Sequence, residues 1–324
     1  MKYLSDQNRT IYQFESGTYA LASGARQWIG LVQNHDVEPN MNVIPIRYQG
    51  STDRNVDDFA DGQKEWNGTI TYLPQDWKCL GYAIGSINDI TGSHIFTEMN
   101  TDDKIEAQSP SEYPNSLYTF TLEDSKNLGV DGDNFVRTVI GGMVDSYQVT
   151  WSQGDLTSVE MGYIAQDSTM SSGTLISVAS TTSKPHIFND VVLHIPSGTL
   201  MDNAKEVVFN INNNLERGAY LTGSRTLTEI LPMNRDYEVT ATCDMQESNA
   251  RTFYESYYIA GSIFNGIIKD WGVAGSLTIT MSGCKMTDMT VPSPLEGIQE
   301  QSFTFVPQHV YPVAYDSIAK YKAV

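Results

Sequence analysis

The groups in this chain that could carry chemistry are five histidines, three cysteines and an excess of carboxylates, 39 Asp and Glu against 20 Lys and Arg. A metal centre needs His, Cys or carboxylate ligands at short, recognisable spacings. His186 and His194 are the closest histidines, with strand-like sequence between them, and each reads as a core or surface histidine. Asp53, Asp57, Asp58 and Asp61 crowd one segment, but they lack the DxDxDG order and a following bidentate Glu, so they read as a solvated acidic loop. Asp131-Gly132-Asp133-Asn134 reads as a turn. Cys79, Cys243 and Cys284 are odd in number, far apart and without a CxxC pair, which fits neither a disulfide framework nor a zinc site. Cys243 shares the apolar parity of its strand with Val239 and Ala241, as a buried structural thiol would. We expect all three thiols to be reduced and dispensable.

The sequence contains no Walker loop, GxGxxG, HExxH, GxSxG or EF-hand pattern. Paired carboxylates for glycoside hydrolysis remain open in a β-rich protein with this many acids, although nothing picks out two of them. No catalytic residue, metal or cofactor is assigned.

The elements that would position any site are mostly strands. Val144–Ser152 alternates strictly, turns at Gln153-Gly154-Asp155 and returns through Ser158–Tyr163, which is a hairpin by pattern and by its Gly-containing turn. Tyr147, Val149, Trp151, Val159, Met161 and Tyr163 share a face that needs a core. Ser146, Gln148, Thr150, Ser152, Ser158 and Glu160 share one that needs water. Later, Leu277, Ile279 and Met281 alternate with Thr278, Thr280 and Ser282, and Phe303 and Phe305 with Ser302 and Thr304. Pro45 within Val43–Ile46 implies an edge or a strand start. The first twenty-five residues read as an arm, and residues 86–115 as a long connection.

With 324 residues, 40% hydrophobic and 18% charged, the chain is long enough for two domains and folded in character. A net charge of −19 repels nucleic acid, because duplex binding needs cations to displace condensed counterions. No run approaches membrane-spanning length and the start has no apolar leader segment, so we expect synthesis and folding in a cytoplasm without a membrane partner.

One pattern occurs twice. Gly50-Ser51-Thr52 precedes the alternating Glu65–Tyr72, and Gly223-Ser224-Arg225 precedes Asp236–Cys243, each strand carrying a Thr-x-Thr pair on its polar face. Segments that read as helical follow, Asp76–Tyr82 and Asn249–Glu255. Such self-similarity predicts one β-rich module used twice, at 1–170 and 171–324, with the Ser/Thr/Gly-rich stretch 166–184 as boundary.

The order of these patterns resembles the tail tube (major tail) proteins of long-tailed bacteriophages and archaeal tailed viruses. The resemblance is carried by Glu15–Tyr19 before Trp28-Ile29-Gly30, Arg54 ahead of the Gly68–Tyr72 strand, and Gln75-Asp76-Trp77 running to Gly85. In the second half it is carried by Phe209–Leu215 followed by Gly223-Ser224-Arg225 and the Tyr237–Cys243 strand. It implies a mainly β chain of two tandem sandwich or barrel modules, each with a short flanking helix and a long hairpin. It further implies a structural virion protein of the tail, not an enzyme, assembled in the host cytoplasm. Its partners would be further copies of itself, in stacked rings of three favoured over six, and the tape-measure, terminator and tip or baseplate proteins. The genome would pass through without specific binding. The polar hairpin faces are then expected to line the lumen: Ser146, Gln148, Thr150, Ser152 and Glu160, with Thr278, Thr280, Glu300 and Ser302. Two other classes stay open at this point: another β-rich coat protein or adhesin, which would form no tubes, and a carbohydrate-active enzyme, which would lose saturable activity with one carboxylate.

Overall fold

A computed structural model of the chain describes residues 8–15, 25–48, 55–98, 117–127, 134–173, 178, 183–218, 220, 223–245, 251–272, 275–291, 298–318 and 320–321. Asp53, Arg54, Gly50-Ser51-Thr52, Ser16–Tyr19, Asp131–Asp133, Asn249-Ala250 and most of the 86–115 connection lie outside the described residues. The first half runs β1 (Asn8–Phe14), β2 (Gln27–Trp28), β3 (Leu31–Asn40), β4 (Val43–Ile46), β5 (Asp58–Asp61) and β6 (Glu65–Leu73). It continues through α1 (Lys78–Ile84), β7 (Gly85–Ile90), β8 (Ser93–Glu98), β9 (Phe120–Lys126), β10 (Phe135–Ser152), β11 (Ser158–Ala165) and β12 (Asp167–Ser171). The second half contains β13 (Val191–His194), β14 (Ala204–Asn212), β15 (Leu215–Gly218), β16 (Glu229–Pro232) and β17 (Asp236–Asp244). After a π-helix at Phe253–Ile259 come β18 (Phe264–Asp270), β19 (Gly275–Thr290), β20 (Glu300–Val306) and β21 (His309–Asp316).

The chain is mainly β. Its broadest sheet has eight antiparallel strands in the order β3-β6-β11-β10-β14-β17-β20-β19. The two sets of four have the same order, strand for strand, and β10–β14 pairing joins them. Two further sheets lie across the core, β2-β1-β9-β10-β12 and β13-β18-β19-β21-β8-β7. Among the described residues the connected pairings branch at β10 and β19 and never return to their starting strand, so these are open sandwich sheets and not a closed barrel.

Both branch strands are long because each serves two sheets. Residues 136–140 of β10 pair with β12 and residues 146–152 with β14, while residues 275–282 of β19 pair with β21 and residues 285–290 with β20. At the crossover stand Gly141 and Gly283, at φ 65° and 64°. A side chain is strained at that φ, and a Cβ on Gly283 would also meet the Gln308 side chain at 2.3 Å. Register shifts follow each glycine, between Val144 and Ser146 and between Met286 and Asp288, as expected where a strand must bend.

Alternation decides the faces. Ile70, Tyr72, Tyr147, Val149, Trp151, Val159, Met161, Phe209, Val239, Phe303 and Phe305 turn inward from the broad sheet. They meet Leu122, Val139, Leu193, Ile268, Leu277 and Ile279 from the other two, in one continuous core. The segment read as helical at Asp76–Tyr82 is helical two residues later, with Cys79 to Ile84 all buried, and its counterpart is the π-helix. His94, fully buried, bridges Asp89 (Nδ1, 2.6 Å) and Asp316 (Nε2, 3.1 Å) and stacks on Tyr321 at 3.7 Å. That contact fastens the β7–β8 hairpin and the chain's last described residues to β21.

Candidate functional site

The apolar faces are consumed by the core, so a binding or conducting surface must be sought on the polar face of the broad sheet. Its cross-strand rows follow from the registers. One row reads Asn34, Thr71, Glu160, Gln148, Asn210 and Glu238, and the next Asp36, Thr69, Gly162, Ser146, Asn212 and Asp236. Neutral residues separate the carboxylates within each row, which avoids the repulsion of like charges set directly opposite. The exception is Asp244 opposite Glu300, and there Lys205 places its Nζ 2.6 Å from both. Hydrogen bonding to Asp244 and then to Glu300 raises the Lys205 ammonium above its ordinary pKa. Elsewhere hydroxyl contacts knit the face: Thr240 Oγ1 to Thr304 Oγ1 at 3.1 Å, and Ser152 Oγ donating to Glu206 at 2.9 Å.

Seven of the nine residues singled out from the sequence lie on this face: Ser146, Gln148, Thr150, Ser152, Glu160, Glu300 and Ser302. Thr278 and Thr280 do not. They precede Gly283, pair with β18 and β21, and face outward from the other sheet beside Lys269 and Tyr311. The alternation of that stretch is as expected, but the strand changes sheet after it. The β19 residues that do join the broad sheet, Asp288 and Thr290, occupy the places that Ser146 and Gln148 hold in β10. Sequence reading also missed Asp36, Glu38, Glu206, Asp236 and Glu238, carboxylates that alternate along β3, β14 and β17. Glu300 contributes less free charge than expected, because Lys205, shared with Asp244, offsets part of it.

One buried polar pair, Asp270 and His186, has the composition of a catalytic site. Asp270 accepts from Trp151 Nε1 at 3.0 Å and from the Gly272 amide at 3.1 Å, and lies 2.8 Å from His186 Nδ1. Asp270 is 0% and His186 1% exposed, with Trp77 packed edge-on to the imidazole, so the pair presents nothing to a substrate. It anchors Trp151 instead. Among the described residues no three His, Cys, Asp or Glu side chains come together as metal ligands, and no helix is long and apolar enough to cross a membrane.

The three cysteines are free and buried. Burial pushes the Cys79 thiol up to about 12 and Cys284 to about 11, and raises Cys243 as well. Since the thiolate is the reactive form, none should react with a thiol reagent in the native protein near pH 8, and all three should titrate once it is denatured. Rapid labelling of the native chain, or fewer than three thiols after non-reducing denaturation, would contradict this.

Comparison with protein families matches residues 43–306 to the phage tail tube protein family. The match spans most of the chain and takes in every strand of the broad sheet except β3, and the chain belongs to that family. It is a structural protein of the virion tail. A comparison with curated protein sequences returns no match.

Proposed function

We propose that the chain is a tandem duplication of one tube module, and that three copies close into a ring whose inner wall is the polar face of the broad sheet. What carries this reading is the β10–β14 ladder, in which the last strand of one four-strand set pairs with the first strand of an identically ordered set. The same two edges stand open at the ends of the sheet. Among the described residues, β3 has no partner beyond β6, and Lys285–Thr290 of β19 none beyond β20. A ten-residue open edge is an aggregation hazard unless another chain covers it. Repeating the internal ladder covers both edges with a second copy.

The internal register also fixes the external one. Gln148 pairs with Asn210 and Ser146 with Asn212. In the corresponding positions, Thr290 would lie opposite Glu38 of the next copy, and Asp288 opposite Asn40. Three copies of eight strands, spaced about 4.8 Å and tilted about 40°, give a backbone diameter of about 45–50 Å, wide enough for a duplex. Rings stacked end to end then form a conduit assembled in the host cytoplasm, in company with tape-measure, terminator and tip or baseplate proteins. The conduit performs no catalysis.

Its wall would carry Ser146, Gln148, Thr150, Ser152 and Glu160 from the first half, and Asp288, Thr290, Glu300 and Ser302 from the second. Exposed Asp36, Glu38, Asp236 and Glu238 would join them. Such a wall is wettable and acidic, so phosphates slide past without being held by cations that must later release them.

The test is a variant carrying Glu38→Cys and Thr290→Cys. Treated with a short thiol cross-linker when concentrated, it should form covalent oligomers ending in a closed ring, with the native thiols unmodified. If assemblies form but this pair never links while pairs elsewhere do, the strand-addition reading is wrong.

A further inference from the structure

The β4–β5 hairpin carries large apolar side chains in the open: Phe59 is 63% and Val43 53% exposed. Its counterpart in the second half, β15–β16, is not left so. Ile230 and Leu227 are each 1% exposed and pack with Leu215 on Leu117, Met143 and Ile164 of the first half. From there the β15–β16 segment reaches across the ends of the first set of strands. Arg217 donates to Asn67 Oδ1 on β6 at 2.7 Å, and Arg225 reaches Gly62 O and Asp61 Oδ2, each at 2.8 Å. One hairpin thus lies as a strap over the four-strand set that precedes it.

The two hairpins share one register. Val43 opposite Asp61 corresponds to Leu215 opposite Pro232, and Pro45 opposite Phe59 corresponds to Arg217 opposite Ile230. The surfaces beneath correspond too. Met143 opposite Ile164 opens the β10–β11 ladder, and Lys285 opposite Val306 opens the β19–β20 ladder. Around Lys285 and Val306 the second half leaves an apolar patch uncovered. Val306 is 39% exposed, and Ile259 and Ile263 are 63% and 62% exposed. They flank Gly261, where an added Cβ would stand 3.6 Å from Lys285 Cε.

From this correspondence we infer that β4–β5 is an intersubunit strap, whose Phe59 and Val43 seat on Ile259, Ile263, Val306 and the Lys285 methylenes of the preceding copy. The partner is a second copy of this chain, because the same contact is already made between the two halves of one copy. The inference rests on the ring reading above and adds a second contact to it: strand addition joins the walls, and the strap clamps the joint. Apolar faces of this kind are worth burying, and each left bare invites non-specific association.

The strap is tested with Phe59→Cys and Val306→Cys in one chain, treated with the same short cross-linker. Within a copy, the β6 strand that follows β5 lies five inter-strand steps from β20, about 24 Å, and a link inside one copy would yield no covalent oligomer. Efficient covalent oligomers are expected. Independently, Phe59→Asp should raise the concentration needed for assembly by at least about tenfold, while Phe59→Leu leaves it nearly unchanged. If Glu38 and Thr290 cysteines link but Phe59 and Val306 cysteines do not, and Phe59→Asp assembles normally, the strap is refuted and the ring survives. If neither pair links in assembled protein, both fall.

Discussion

Trp151→Ala should cost about 4–6 kcal/mol of stability, the sum of a large core cavity and an abandoned buried carboxylate. Trp151 is fully buried near the end of β10, opposite Val207 of β14, and its ring packs near Trp77. Removing it empties a site that neighbouring strands cannot collapse to fill, because their ladders hold them apart. It also takes from Asp270 the indole donor at 3.0 Å, leaving that carboxylate to His186 and the Gly272 amide. A loss of this size is comparable with the whole stability of many domains, about 5–15 kcal/mol, so the variant should express mainly as insoluble chain. Trp151→Phe keeps most of the packing and loses the hydrogen bond, and should cost about 2 kcal/mol. Denaturant titration of the two variants separates the contributions. Equal losses would mean that packing at this site matters little and that the Asp270 network carries the effect.

The second large effect concerns the polar face. Changing Glu38, Glu160 and Glu238 together to Lys should convert an inert wall into one that grips duplex DNA. All three side chains are exposed, and none has a basic partner directly opposite it in the ladders of the sheet. In an assembled ring each copy would contribute three cations to one lumen. A surface that contacts about 6–10 phosphates binds with an affinity that falls about 10³–10⁵-fold between 50 and 200 mM salt. Unmodified tubes should show no such salt-dependent binding, and the variant should assemble yet eject its genome slowly. Screening over about 8 Å at physiological ionic strength confines the effect to residues close to the duplex, so Lys introduced at the exposed Tyr311, on the outward face of the β19–β21 ladder, should do nothing. Steep salt-dependent binding by the unmodified tube would overturn this view of the face.

The two halves of this answer were not equally legible in the sequence. Strict alternation along Ser146–Ser152 and Ser158–Tyr163 fixes which side chains are buried, and the structure follows it there, whereas Val144, of polar parity, is buried because the register shifts between it and Ser146. The period of two says nothing about which sheet a face belongs to. Thr278 and Thr280 alternate as cleanly as Gln148 and Thr150, and only the crossover at Gly283 sends them to another sheet. The β3 strand was harder still. Gln33-Asn34-His35-Asp36 has no apolar face to betray a strand, because its worth lies in backbone pairing with β6 at an edge. Order within a sheet is set by contacts remote in sequence. No local pattern announces that β10 and β14 are neighbours, and the candidate face depends on that one ladder.

The β7–β8 hairpin has no counterpart between the π-helix and β18. It widens the second outer sheet by two strands, while β12, at the matching place in the first, is an edge among the described residues. A closed ring of these chains would therefore have different symmetries inside and out. The inner wall would repeat every four strands, nearly sixfold, and a passing duplex would meet a smooth, uniform bore. The exterior would alternate between a thickened flank and a bare one, strictly threefold. Any protein that decorates the outside, or clocks one ring onto the next, would thus find three equivalent seats rather than six, and an angular mark every 120° with which to set its phase.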